Sequence, residues 1–60
     1  MMYQLTIYRE VDGDDSEVLL KQMFETRPTL NDKQDALIAA GTDPNGEHGV
    51  FTSTRKIKED

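Results

Sequence analysis

The chain has 60 residues, no cysteine and one histidine, which excludes disulfides and disfavours a structural zinc site. Its net charge of −5 and its pI of about 4.6 disfavour ordinary binding to nucleic acid, because Lys and Arg supply most of that affinity. A fold of this length has a thin core, so we expect one domain, residues 1–60, and favour a homodimer or a partner complex over a monomer.

The first predicted element is a β-strand over residues 2–10. Tyr3, Leu5 and Ile7 alternate with more polar positions, which is the period of two of a half-buried strand. We expect a turn next, over Val11–Ser16, where an Asp-Gly pair suits a hairpin because glycine tolerates a positive φ.

The segment Val18–Thr26 fits either a helix or a strand. At helical spacing its large apolar residues would share one arc: Leu19, Leu20, Met23 and Phe24. The boundaries favour a strand, since an Asp-Gly turn joins the segment to the first strand and the residue before Pro28 must be extended. We therefore predict a second strand and keep the helix, capped by Asp14, as the alternative.

A helix is predicted over Leu30–Ala40. Thr29 or Asn31 can cap its first turn, and Gly41 suits the position just after its last residue. Its apolar face would consist of Leu30, Ala36, Leu37, Ile38 and Ala40. A loop over Thr42–Gly49, with Asp-Pro and Asn-Gly pairs, leads to the last element.

That element is a strand over Val50–Lys58, with Phe51, Ser53, Arg55 and Ile57 on one face. The order is therefore β-β-α-β, an α+β domain with a three-stranded antiparallel sheet and one helix, and β-α-α-β is the alternative. The expected core, with Tyr3 at its edge, consists of Leu5, Ile7, Leu20, Phe24, Leu37, Ala40, Phe51 and Ile57.

Five carboxylates lie close together around Gly13, in a segment that we call the acidic turn: Glu10, Asp12, Asp14, Asp15 and Glu17. Without them the chain has seven acidic and seven basic residues, so this segment carries the whole net charge. An EF-hand loop starting at Asp12 would need glycine where Glu17 stands and glutamate where Met23 stands, so that motif is absent. We expect no metal ion and no cofactor, and interpret the turn as a solvated hairpin tip or a docking site for a basic partner.

No set of residues points to catalysis. His48 is the only histidine and follows Glu47, but no nucleophile-elbow or oxyanion-hole motif accompanies it. Gly41, Gly46 and Gly49 do not have the spacing of a phosphate-binding loop. We therefore expect that the protein is not an enzyme.

The sequence indicates a small acidic module that binds another protein through the acidic turn and Tyr8. Tyr8 lies on the polar face of the first strand beside these charges, and tyrosines are frequent anchors of interfaces. The general character resembles that of small accessory proteins of phages and mobile elements, which would bind and modulate a host protein; no specific motif carries this resemblance. We expect a cytoplasmic location, since the chain shows neither a secretory signal nor a membrane-spanning run.

Two other functions are open at this point. A nucleic-acid mimic would present its carboxylates, in place of phosphates, to a basic site on a host enzyme. A weak nucleic-acid binder would use the basic last strand instead, with Arg55, Lys56 and Lys58 as phosphate contacts and Phe51 or Tyr8 as a stacking platform.

Overall fold

Three strands and one helix make up the part of the chain, residues 1–13 and 15–58, that a computed structural model describes. The elements are β1 (Met2–Glu10), β2 (Ser16–Phe24), α1 (Leu30–Ala39) and β3 (Val50–Ile57). β1 pairs antiparallel with β2 on one side and with β3 on the other, so the strand order is β2-β1-β3. The predicted α+β class and the β-β-α-β order are confirmed.

An irregularity in the pairing of β1 with β2 explains why this part of the sequence also fits a helix. Ile7 lies opposite Leu20 and Tyr8 lies opposite Val18, so Leu19 is an extra residue on β2, as in a β-bulge. Leu19 and Leu20 both pack against the core, which two consecutive residues of a regular strand cannot do. The helical alternative for this segment is wrong, since Ser16–Phe24 is a strand. The bulge accounts for the adjacent pair Leu19 and Leu20 on the core side, whereas Met23 lies on the other face.

The helix begins at a capping box formed by Thr29 and Asp32. The Thr29 hydroxyl accepts a hydrogen bond from the Asp32 amide at 3.2 Å, and the Asp32 carboxylate accepts one from the Thr29 amide at 2.9 Å. Of the two predicted caps, Thr29 is therefore the one used. Asn31 lies inside the first turn of the helix.

The helix ends one residue earlier than predicted, at Ala39, with Ala40 as its C-cap. Gly41 has a φ of 79°, and its amide donates to the Ile38 carbonyl at 3.0 Å. Thr42 follows with an amide that donates to the Leu37 carbonyl at 2.9 Å, which completes a Schellman motif. The predicted role of Gly41 is confirmed.

The core lies between one face of the sheet and α1. Leu5 and Ile7 of β1 are 1% and 0% exposed and form a buried cluster with Ala36 and Leu37 of the helix. Partly buried residues pack around this cluster: Leu19, Leu20, Phe24, Ala40 and Val50. The burial of the central strand therefore sets which face of the sheet the helix covers.

Two of the predicted core residues, Phe51 and Ile57, lie on the opposite face. Their partners on β1 are Tyr8 and Met2, which point away from α1, and Phe51 is 45% exposed. The alternation along β3 is as predicted, but its register with β1 decides which half of it meets the helix. Val50, rather than Phe51, is the residue of β3 that packs against the core.

The apolar face of α1 is also narrower than predicted. Leu30 and Ile38 are exposed, whereas Ala36 and Leu37 are buried. Ile38 is turned about 100° from Leu37 around the helix axis and so points away from the sheet. Leu30 is the first residue of the helix, away from Ala36 and Leu37. The remaining apolar side chains of the helix therefore stay at the surface.

We expect Thr29→Ala to lower the free energy of unfolding by about 1 kcal/mol, because the Asp32 amide loses its acceptor at the helix start. Urea denaturation followed by circular dichroism measures the change. Asn31→Ala is the matched control, since it alters the other candidate cap without touching the capping box. Equal losses in the two variants would contradict the assignment of Thr29 as the cap.

A second prediction compares the same substitution on the two faces of the sheet. Ile7→Val removes a methyl group from a fully buried side chain and should cost about 0.5–1.5 kcal/mol of stability. Ile57→Val makes the same change on the face away from the helix and should cost clearly less. The comparison is made in urea at low protein concentration, and similar losses would show that the burial assigned to β3 is wrong.

Candidate interaction surface

The acidic turn is a hairpin connection between β1 and β2. The amide of Val11 donates to the Asp15 carbonyl at 3.0 Å, and Gly13 has a φ of 72°, the positive value expected for this position. Glu10, Asp12 and Asp15 are exposed. Asp14 lies outside the described residues.

The strand register separates Glu17 from the other predicted binding residues. Glu17 lies opposite Arg9, and Arg9 is on the same face of β1 as Ile7, the face that α1 covers. Glu10 lies opposite Ser16 on the other face, together with Tyr8. The predicted site therefore falls into two parts: Tyr8 and Glu10 on the uncovered face with the tip beside them, and Glu17 toward the helix side.

The uncovered face of the sheet, which we call the open face, carries side chains from all three strands. β1 contributes Met2, Gln4, Thr6, Tyr8 and Glu10; β2 contributes Ser16, Val18, Lys21 and Met23; β3 contributes Phe51, Ser53, Arg55 and Ile57. Nothing in the described part of the chain packs over it, and Val18, Met23 and Phe51 are each about half exposed.

Tyr8 and Phe51 form a stacked aromatic pair on the open face. They lie opposite each other on β1 and β3, with ring centroids 5.6 Å apart and ring planes inclined by 29°. The pair lies at the end of the sheet that carries the acidic turn. It forms one wall of a shallow depression of about 370 Å³, whose lining consists of Tyr8, Glu10, Gly13, Asp15, Ser16 and Phe51.

Phe51 is the residue of this surface that the predicted protein-binding site did not include. The prediction assigned it to the core because it is large and apolar, although its neighbours on the same face of β3 are Ser53 and Arg55. Those polar neighbours were the available signal, since a face with a serine and an arginine is seldom buried.

An ion pair holds the acidic end of β1 against the loop before β3. Arg9 donates to the Glu47 carboxylate at 3.2 Å, and both side chains are about two-fifths exposed. The Glu10 amide donates to the Gly49 carbonyl at 2.8 Å beside it. An exposed pair of this kind contributes little to stability, about 0–1 kcal/mol. The ion pair engages Arg9, the basic residue next to Glu10 in β1, with Glu47. Among the described residues, no basic side chain is paired with Glu10, Asp12 or Asp15.

The basic residues of β3 do not form one patch. Arg55 lies opposite Gln4 on the open face, whereas Lys56 lies opposite Tyr3 on the helix side. Lys58 follows the end of the strand and is exposed. The alternation of the strand therefore divides the predicted phosphate-binding cluster between two faces of the sheet.

His48 lies near the acidic turn, a neighbourhood that the sequence did not indicate. It is exposed and borders a hollow that Asp12, Val11 and Arg9 also line. Within the described residues, no three His, Asp or Glu side chains come together in a way that suits a metal ion. No described helix is long and apolar enough to cross a membrane.

Comparisons with protein-family models, with curated proteins and with solved structures gave no match to this chain.

A double-mutant cycle can measure the contact between Tyr8 and Phe51. We expect Tyr8→Ala and Phe51→Ala to show a coupling energy of about 0.5–1.5 kcal/mol in urea denaturation, since stacked cross-strand rings stabilise one another beyond their burial. Tyr8→Ala with Arg55→Ala is the control cycle, because Arg55 lies on the same face but opposite a different residue of β1. Additive losses in the first cycle would show that the rings are not energetically coupled.

Proposed function

We propose that the protein is a small interaction module that binds another protein through the acidic turn and the adjoining Tyr8–Phe51 pair. The observation that carries the proposal is the position of this aromatic pair, with Phe51 about half exposed, beside unpaired carboxylates, on a face of the sheet that the other described residues leave uncovered. Aromatic residues anchor interfaces through large apolar contacts. Neighbouring charges increase the rate of association with an oppositely charged partner.

The chemistry of the surface defines the partner that it fits. A partner with Lys or Arg near the carboxylates and an apolar patch against Tyr8 and Phe51 would satisfy both parts of the site. The accessory role toward a host protein, of the kind made by phages and mobile elements, belongs to this proposal, and the cytoplasmic location stays a prediction. We assign the protein a binding role rather than a catalytic one.

The two nucleic-acid alternatives gain less support. Direct binding would draw on Phe51 and Arg55 but not on Lys56, which lies on the other face of the sheet. A nucleic-acid mimic needs negative charge spaced along a track, whereas the described carboxylates of the acidic turn are confined to one end of the sheet.

The proposal predicts that neutralising the acidic turn removes the partner. In a quantitative pull-down from bacterial lysate, the wild-type protein should capture a partner that Asp12→Asn/Asp15→Asn loses, and high salt should lower the capture. The control is Glu25→Gln/Asp35→Asn, which removes the same charge from exposed positions elsewhere. Equal capture by both double variants, or a capture indifferent to salt, would show that the acidic turn is not the interface.

A further inference from the structure

We propose that a second copy of this chain covers the open face, in a two-fold symmetric dimer in which the acidic turn of each copy meets the basic end of the other. The inference rests on the proposed function, because it takes the open face and the acidic turn as a protein-binding surface and names the partner. It follows from the apolar content of the face, from its charge distribution and from its size.

The open face has an apolar content comparable with that of the core. The buried core consists of four apolar residues: Leu5, Ile7, Ala36 and Leu37. The open face carries six apolar or aromatic ones: Met2, Tyr8, Val18, Met23, Phe51 and Ile57. Three of these, Val18, Met23 and Phe51, are 52%, 47% and 45% exposed. A cover over this face would bury apolar area that the folded monomer leaves in water.

Charges of opposite sign lie at the two ends of the same face. Glu10 and Asp15 stand at the end where β1 enters the turn, and Arg55 stands opposite Gln4 near the start of β1. Six residues of β1 separate the level of Arg55 from that of Glu10, about 20 Å along the strand. Arg55 is the cation of this end that lies on the open face. Lys58 is exposed beyond the strand, and Glu25, just after β2, together with Glu59 and Asp60, which follow Lys58 in the sequence, offsets much of the remaining positive charge.

This distribution selects one way of stacking two copies. A two-fold axis that runs across the strands reverses their direction, so Glu10 of one copy lies over the Arg55 end of the other. The two-fold axis therefore produces the same contact twice in the dimer, once at each end. A parallel stack would place acidic turn on acidic turn and is disfavoured by like-charge repulsion. The Lys21 side chains of the two copies lie near the two-fold axis. Because β2 is an outer strand, each Lys21 ammonium can extend past the edge of the sheet into water.

The size of the face predicts a weak dimer. Three strands spaced by about 4.8 Å, each with eight or nine residues at about 3.3 Å, give a face of about 30 × 14 Å. Such a face is smaller than the area of about 800 Å² per partner in a standard interface. Association should therefore be reversible, dependent on concentration and sensitive to salt, because the charges at the two ends contribute much of the attraction.

Complementary charge reversal tests the arrangement. Glu10→Arg and Arg55→Glu should each weaken self-association about tenfold or more in sedimentation equilibrium, because each variant places like charges at both ends of its dimer. An equimolar mixture of the two variants should restore association, since the mixed dimer has opposite charges at both ends. Asp35→Arg and Lys56→Glu are the matched controls: they make the same changes of charge on the helix and on the helix side of β3, and should leave association unchanged.

The outcomes separate this inference from the proposed function. A chain that sediments as a monomer at every concentration, or a mixture that does not recover association, would overturn the dimer. If the pull-down still depended on Asp12 and Asp15, the proposed function would stand and the occupant of the open face would be a different protein. A dimer restored by the mixture, together with a lysate that yields no partner, would support the dimer and overturn the accessory role toward a host protein.

Discussion

The burial of Leu5 and Ile7 on the central strand is the interaction on which the rest of the structure depends. β1 is the one described strand with a neighbour on each side, so β2 and β3 both take their register from it. These two side chains also hold the helix in place through Ala36 and Leu37. Once they are buried, the face of every other residue in the sheet follows, because strand side chains alternate and paired residues share a face.

The one helix of the described residues covers only one face of this sheet. The other face keeps apolar side chains that no described element shields. In domains with a second layer, that layer removes such surface from water. Within the described residues the helix covers one face only, so the open face keeps an apolar surface in contact with water.

Antiparallel pairing determines how charge is distributed over that face. The hairpin places the acidic turn at one end of β1, and the return of β3 brings Arg55 toward the other end. Among the described residues, no ion pair engages Arg55 or the carboxylates Glu10, Asp12 and Asp15. Arg9, which is next to Glu10 in β1, is paired with Glu47 instead. Charges of this kind influence the rate and orientation of association more than they influence the stability of the fold.

The sequence by itself determined the number, order and approximate limits of the elements, because period-two alternation, the Asp-Gly turn, the candidate helix caps and Gly41 act over a few residues. It left strand or helix open for Val18–Thr26, and Thr29 or Asn31 open as the cap, and the structure decided both. The sequence also located the acidic turn and Tyr8. Only the tertiary structure decided which face of β3 is buried, and hence that Phe51 joins Tyr8 rather than the core. That choice depends on pairing between residues more than 40 positions apart, and a shift of one residue would reverse it without any change in local pattern.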